Sequence, residues 1–254
     1  MLSENEEVNM PQQNSLSAKA ELKKSMDYLQ AGKFESALES ADESLAIEPD
    51  FAEAWLIKGI VFGRLGQCEE SVKCFDKSIE MNPNSSDALR LKGATLTMQN
   101  SHATATECFN KALQIEPTNL ELHMNLAASL RKQQRFDEAL QCYQEALTQH
   151  PNKPEIIYFV GIVHFDKGEY EKALETFNEA LKLQPNLDQA QLAKGLVLAK
   201  LGRMAEAKHS IGQVLDLKEE SAKPQEMNYR SVNEACKQDY EAAKNKFKQN
   251  FFSP

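Results

Sequence analysis

Small and large residues recur along the chain at fixed positions with a period of 34 residues. The eighth and twentieth residues of each period are small, whereas the twenty-fourth is mostly large. The eighth residues are Ser25, Gly59, Gly93, Ala127, Gly161 and Gly195. The twentieth residues are Ala37, Ser71, Ala105, Ala139, Ala173 and Ala207, and the twenty-fourth are Ala41, Phe75, Phe109, Tyr143, Phe177 and Ile211. A fixed period of this length indicates a chain built from repeated supersecondary units.

Proline follows the same period, at Pro49, Pro83, Pro117, Pro151 and Pro185. The register gives six repeats without an insertion over residues 18–221, and we number them one to six. Their predicted bounds are 18–51, 52–85, 86–119, 120–153, 154–187 and 188–221. Between the prolines the chain is rich in Ala, Leu, Glu, Lys and Gln, which favour helices.

Repeat two resembles the tetratricopeptide repeat (TPR) family. Six of its residues stand where that family's pattern places Trp, Gly, Tyr, Gly, Phe and Pro: Trp55, Gly59, Phe62, Gly66, Phe75 and Pro83. The resemblance extends over about four fifths of the chain. It implies an all-α fold, a right-handed superhelical solenoid of six 34-residue helix-turn-helix repeats. The small positions agree with this fold, because they let two helix backbones approach closely.

The turns of each repeat can be predicted from the same alignment. Gly32, Gly66, Gly168 and Gly202 stand between the two helices, where a left-handed residue ends the first helix. Asn100 and Gln134 occupy this position in repeats three and four. We expect the residues after the periodic prolines to cap the next helix, namely Asp50, Asn84, Thr118, Asn152 and Asn186.

Two segments flank the repeats. Residues 1–17 are polar and acidic, and we expect them to be disordered. Residues 222–254 contain an amphipathic pattern from about Gln225 to Phe251, with apolar residues at three- and four-residue steps. This C-terminal helix has two interpretations: it caps repeat six, or its distal end docks into a groove of its own chain or of a second molecule, which would make a homo-oligomer.

Charge and cysteine content narrow the class of protein. The net charge of −9 divides into −3 for the leader, −8 for the repeats and +2 for the tail. Such an acidic body argues against nucleic acid as a partner. No basic residue followed by an apolar run opens the chain, and no apolar run is long enough for a membrane span. Together with five cysteines, an odd number, these features predict a cytoplasmic protein without membrane insertion.

Motifs of catalysis and cofactor binding are not found in the sequence. There is no Gly-rich phosphate loop, no G-x-S-x-G and no H-E-x-x-H, so we predict no enzymatic activity, no cofactor and no metal. The repeat explains His102, His123 and His164 as flat side chains that pack between helices. Cys74, Cys108 and Cys142 share one position in successive repeats and form a ladder that does not converge on a metal.

The resemblance places partner binding on an inner groove, lined by the second, fifth, ninth, twelfth and thirteenth residues of each first helix. At these positions the sequence is apolar, with interspersed basic residues. We predict the groove residues Leu56, Ile60, Arg64, Arg90, Met98, Met124, Arg131, Lys132, Tyr158, Ile162, Phe165 and Leu192. Their chemistry suits an amphipathic helix or an apolar segment that carries some acidic residues. Alternatively, these side chains pack against the neighbouring first helix and leave little surface exposed.

The sequence therefore predicts a non-catalytic protein–protein interaction scaffold or adaptor that binds a protein or peptide partner. A clamp for acidic chaperone C-termini is disfavoured, because Asp87 has the wrong charge in that register. A ladder of asparagines that holds a peptide backbone is disfavoured too, because only Asn125 is present. The alternatives are a scaffold that self-assembles through its C-terminal helix, and a regulatory subunit or co-chaperone of an enzyme or chaperone complex.

Overall fold

A computed structural model of the protein describes residues 10–215, and over this range the chain consists of twelve α-helices joined by turns. Each repeat contributes two of them. The helices are α1 (Met10–Gln30), α2 (Phe34–Ile47), α3 (Ala52–Arg64), α4 (Cys68–Met81), α5 (Ser86–Met98), α6 (His102–Ile115), α7 (Leu120–Lys132), α8 (Phe136–Gln149), α9 (Pro154–Asp166), α10 (Tyr170–Leu183), α11 (Asp188–Lys200) and α12 (Met204–Leu215). The predicted all-α class is confirmed, whereas the handedness of a superhelix stays a prediction.

The ends of the repeat region differ in part from the predicted bounds. Helix α1 begins at Met10, so the last eight residues of the predicted leader are helical rather than disordered. The rest of the leader lies outside the described residues. The end of repeat six and the predicted C-terminal helix within 222–254 lie outside them too.

The chain divides into two compact units between Cys142 and Tyr143, within helix α8. We call them the N-terminal unit and the C-terminal unit and describe each by itself. A core cluster of the N-terminal unit joins α1, α2 and α3 through fully buried residues such as Ala18, Ala54 and Val61. In the C-terminal unit, the fully buried Phe177 and Val197 belong to a cluster that joins α10, α11 and α12.

Close contact between the two helices of a repeat depends on the small eighth residue. A Cβ atom added to Gly59 would lie 2.6 Å from the ring of Phe75, and one added to Gly93 would lie 2.6 Å from the ring of Phe109. The predicted pairing of small and large positions is therefore confirmed in these repeats. Repeat one has Ser25 at the eighth position and the small Ala41 at the twenty-fourth. In repeat one, a larger residue at the eighth position thus accompanies a smaller one at the twenty-fourth.

Serine hydroxyls and ion pairs add specific bonds to this packing. Ser25 Oγ donates to the carbonyl of Ala37 at 2.6 Å, so a buried hydroxyl joins α1 to α2. Between repeats, the ammonium of Lys58 pairs with the carboxylate of Asp42. Lys92 forms the equivalent pair with Asp76, one repeat further along. Lysine and aspartate thus link the first helix of repeats two and three to the second helix of the preceding repeat.

The predicted turn residues adopt the left-handed conformation. Gly66 has φ +75°, and the other three turn glycines also have positive φ. Asn100 and Gln134 have φ 60° and 61°, which confirms that both replace glycine at this turn. In repeat two, the amide of Gln67 donates to the carbonyl of Phe62 at 2.9 Å, a bond that closes the end of α3.

The predicted helix caps are wrong by one residue. Proline and the residue after it form a turn, and the next residue is the N-cap. The observed caps are Phe51, Ser85, Asn119, Lys153 and Leu187. The side chain of Ser85 accepts from the amide of Ala88, and that of Asn119 accepts from the amide of Leu122, both at 3.2 Å. Because the two-residue turn includes the predicted cap position, the N-cap is the residue that follows the turn.

Candidate functional site

Eight of the twelve predicted groove residues belong to the N-terminal unit, where they lie on α3, α5 and α7. Arg64, Met98 and Lys132 are exposed, and Met98 has 53% of its surface accessible. The other five are half-buried: Leu56, Ile60, Arg90, Met124 and Arg131. We call these eight residues, together with the acidic residues Glu53, Asp87 and Glu121 on the same helices, the first-helix surface.

Partial burial of the first-helix surface follows from its position. Helices α3 and α5 contact each other, as do α5 and α7, so neighbouring side chains cover part of the surface. On the opposite side of α3, Ala54 and Val61 are fully buried in the core. Helix α3 therefore has one buried side and one side that is partly accessible, and Leu56 and Ile60 lie on the accessible side. Their role in binding stays a prediction.

The remaining four predicted residues, Tyr158, Ile162, Phe165 and Leu192, lie on α9 and α11 of the C-terminal unit. All four are half-buried. Three of them (Tyr158, Ile162 and Phe165) pack against the core cluster that contains Phe177. The rings of Tyr158 and Phe177 have their centroids 5.8 Å apart. These residues thus support the core of their unit while part of their surface stays accessible.

The surroundings of Arg90 differ from those expected of a basic group that binds an acidic partner. Its guanidinium lies 2.8 Å from the carboxylate of Glu121 on α7 and 3.2 Å from that of Asp87 on its own helix. The Arg90 side chain keeps only 23% of its surface accessible, whereas Asp87 and Glu121 are mostly exposed. The positive charge is therefore already neutralised within the surface. The sequence analysis missed the pairing because Arg90 and Glu121 are 31 residues apart in the chain.

The charges of the first-helix surface are segregated along the helices. The first turns of α3, α5 and α7 carry Glu53, Asp87 and Glu121. The last turns carry Arg64 on α3, and Arg131 and Lys132 on α7. This arrangement suits the helix dipole, which favours acidic residues at the N-terminus and basic residues at the C-terminus. The surface consequently has an acidic edge and a basic edge, with apolar side chains between them.

The distance between the two edges can be estimated from helix geometry. Glu53 and Arg64 are eleven residues apart on α3. At a rise of 1.5 Å per residue, this separation spans roughly 16 Å. A single α-helix with its side chains is about 10–12 Å wide. The apolar strip between the acidic and basic edges is therefore wide enough for one helix.

His123 packs as the repeat predicts. His123 is buried, and its Nε2 lies 2.9 Å from the carbonyl of Pro117. Trp55, at the same position of repeat two, donates from Nε1 to the carbonyl of Pro49 at 2.9 Å.

The other two histidines are half-buried. His164 Nδ1 lies 2.7 Å from Glu169 Oε2. Burial lowers the pKa of His102, and the charge of Lys132 lowers it further.

The cysteine ladder is buried and reduced in the structure. Cys74, Cys108 and Cys142 are buried thiols, and the thiol of Cys68 is half-buried. Burial raises the pKa of the Cys74 thiol to about 11. Within residues 10–215 no three His, Cys, Asp or Glu residues are grouped so that they could hold a metal ion. None of the helices in this range is long and apolar enough to cross a membrane.

Paired helices that repeat every 34 residues, with a partly apolar surface on the first helices, define a helical repeat protein. Comparison with protein families identifies the type of repeat. Residues 41–157 match the TPR domain of the cytochrome c-type biogenesis protein H, residues 161–202 match a TPR repeat, and residues 188–221 match a tetratricopeptide repeat. The chain belongs to the tetratricopeptide repeat family, as predicted. Such repeats are typically non-catalytic modules of protein interaction.

Several solved structures share this fold. PilF of Pseudomonas aeruginosa has a TM-score of 0.64 and 18% identity, covering 82% of this chain and 95% of that one. MamA from Desulfovibrio magneticus RS-1 has a TM-score of 0.63 and 23% identity, covering 68% of this chain and 97% of that one. YrrB, described as a TPR protein with an unusual peptide-binding site, has a TM-score of 0.57 and 19% identity, over 72% and 95%. Among proteins with curated functions, none matches the chain closely enough to name a relative.

Proposed function

We propose that the chain is a non-catalytic interaction scaffold or adaptor and that its first-helix surface binds an amphipathic helix of a partner protein. The observation that carries the proposal is the partly accessible apolar strip of Leu56, Ile60, Met98 and Met124, which lies between an acidic and a basic edge. Exposed apolar surface of this kind is typical of interaction sites, and methionine adapts to partners of different shape.

The charge of the partner helix follows from the two edges. Arg64, Arg131 and Lys132 would face acidic residues on one flank of the partner. Glu53 would face a basic residue on the other flank. Arg90 already pairs with Asp87 and Glu121, so these three charges would contribute little to the binding of a charged partner. The proposed partner is therefore an amphipathic helix with charges of opposite sign on its two flanks, which refines the predicted partner with acidic residues alone.

YrrB lends support by analogy, since it is a TPR protein of similar fold with an unusual peptide-binding site. Fold similarity at this level of identity does not transfer the binding site. The proposal therefore depends on the residues of the first-helix surface itself.

Affinity capture with matched methionine variants tests the proposal. Met98 lies on the first-helix surface with 53% of its surface accessible, and Met81 lies at the end of α4 with 39% accessible. Both can accept a charge without entering the core. We expect Met98→Glu, combined with Met124→Glu, to lose the proteins that the wild-type chain captures from its native source. We expect Met81→Glu to retain them.

Circular dichroism of each variant checks that the fold is intact. If the folded Met98→Glu, Met124→Glu variant captured the same proteins as the wild type, the first-helix surface would not be the binding site. The same comparison with Ile162→Glu tests the four predicted residues of the C-terminal unit independently.

A further inference from the structure

Basic residues at the ends of the first helices follow a pattern that specifies the partner more closely. The last turn of α3 contains Arg64, and that of α7 contains Arg131 and Lys132. The last turns of α1 and α5 contain no basic residue. Cations therefore lie on alternate first helices along the basic edge of the first-helix surface.

An exposed methionine lies between the two cationic positions. Met98 has the same place on α5 that Arg64 has on α3 and Lys132 has on α7, since the three residues are 34 positions apart. All three are exposed, and 53% of the surface of Met98 is accessible. Across α3, α5 and α7, the edge is thus basic, apolar and basic in turn.

The charges of this edge can bind carboxylates. Within residues 10–215, the guanidinium of Arg64 has no ion-pair partner. Lys132 already interacts with groups of its own chain, but its ammonium has three donors and can accommodate a further carboxylate. Burial lowers the pKa of the neighbouring His102, and the charge of Lys132 lowers it further, so this histidine adds no charge at neutral pH.

The separation of the two cationic helices sets the spacing of acidic residues on a partner helix. Helix α3 contacts α5, and α5 contacts α7. Since packed helices lie about 8–10 Å apart, α3 and α7 are roughly 16–20 Å apart. Eleven residues of a partner helix rise about 16.5 Å and complete three turns plus about 20°. Partner residues i and i+11 therefore lie on the same side of that helix, close to the separation of the two cations.

The partner residue at i+7 faces the middle of the edge. It lies on the same side as residue i and about 10.5 Å along the helix, which places it opposite α5. Met98 offers an apolar contact there, and the last turn of α5 has no cation. A large apolar residue suits this position, whereas a charged one would lose water without gaining a counterion.

Given the binding role proposed above for the first-helix surface, we propose that its partner helix lies across α3, α5 and α7 with acidic residues at i and i+11. These residues pair with Arg64 and Lys132, and a large apolar residue at i+7 contacts Met98. The apolar face beside this row covers Leu56 and Ile60. A partner with the same composition but a different spacing of its carboxylates loses one ion pair.

Fluorescence anisotropy with two labelled amphipathic peptides and the full chain tests this proposal. The matched peptide has glutamate at i and i+11 and leucine at i+7. The shifted peptide has the same composition, but its second glutamate has moved to i+9, on the opposite side of the helix. We expect the wild-type chain to bind the matched peptide roughly two- to fivefold more tightly, the range of an exposed ion pair.

Neutral variants of the chain locate the two ion pairs. We expect Arg64→Gln and Lys132→Gln each to weaken binding of the matched peptide roughly two- to fivefold. Lys132→Gln should also abolish the preference for the matched peptide. Lys111→Gln removes an exposed cation from α6 and should change neither affinity.

Charge exchange separates a direct ion pair from a structural effect. Arg64→Glu should bind the matched peptide more weakly and regain affinity when the glutamate at position i of the peptide is replaced by lysine. A loss of affinity that the lysine peptide does not restore would overturn the pairing with Arg64.

The remaining outcomes also decide the proposal. Equal affinities of the two peptides for the wild-type chain would overturn the spacing, and binding of neither peptide would overturn the stated chemistry of the partner. Affinity capture by the Met98→Glu, Met124→Glu variant tests the proposed function separately. The first-helix surface can therefore prove to be the binding site while the spacing of charges proves wrong.

Discussion

The ring of Phe75 occupies the space that a side chain on Gly59 would need, since a Cβ atom there would lie 2.6 Å from a ring carbon. Phe75 is only 2% exposed, so its ring is enclosed in the core. We therefore expect Gly59→Ser to destabilise the protein by about 1–3 kcal/mol, the usual cost of overpacking a core.

Repeat one provides the compensated version of this pair, with Ser25 opposite Ala41. Phe75→Ala alone should cost about 3–5 kcal/mol through the cavity it leaves. In the double variant Gly59→Ser, Phe75→Ala, the added side chain no longer meets the ring. We expect the free energy of unfolding in urea to show less destabilisation than the sum of the two single changes. Additive costs would show that the two positions do not constrain each other.

His123 takes the place that tryptophan holds in repeat two, with its Nε2 2.9 Å from the carbonyl of Pro117. His123→Phe keeps a flat ring in this buried position but removes the hydrogen bond. We expect a loss of about 0.5–1.5 kcal/mol in the free energy of unfolding, the net value of one such bond. Trp55→Phe removes the corresponding bond to Pro49 and serves as the matched comparison. An unchanged midpoint of unfolding for both variants would contradict the assigned role.

Glu169 couples stability to acidic pH. The hydrogen bond from His164 and a second one from Lys172 hold the pKa of the Glu169 carboxyl below its usual range. A carboxylate only accepts, so His164 Nδ1 carries the proton in this bond. Because the pKa is lower in the folded state, the stabilisation is complete above the ordinary glutamate pKa and is lost as the pH falls through the lowered one.

Glu169→Gln removes this source of stability. We expect the variant to be less stable than the wild type at neutral pH, and the difference to shrink as the pH is lowered into the acidic range. Thermal unfolding between neutral pH and pH 3 measures the trend. Glu171→Gln, an exposed position in the first turn of α10, is the control for the loss of one charge. A constant difference across the pH series would exclude the linkage.

Cys74 should react slowly with thiol reagents while the protein is folded. Burial raises the pKa of its thiol to about 11, so the reactive thiolate is scarce at pH 8. We expect mass spectrometry after alkylation to show Cys68, which is half-buried, modified well before Cys74. Both should react at similar rates in denaturant. Equal rates in the folded protein would show that the cysteine ladder is accessible.

Much of the fold could be predicted because it depends on local sequence and residue size. Gly66 and Asn100 tolerate the left-handed conformation, so the turn between the two helices can be predicted from the sequence. Gly59 must be small because the large ring of Phe75 occupies the space beside it, so the size of one residue predicts the size of the other. The helix caps could not be placed to the residue, because the length of the proline turn decides between Asn84 and Ser85.

By itself, the sequence determined the 34-residue period, the helical class, the family and the residues that form the first-helix surface. These properties follow from patterns that repeat along one chain. Tertiary structure alone decided the electrostatics of that surface. Arg90 meets Glu121 only after α5 and α7 pack side by side, and this contact turns a predicted basic site into a neutralised one. A pair of charges 31 residues apart leaves no periodic trace, since its strength depends on distance and solvent exposure in the folded protein.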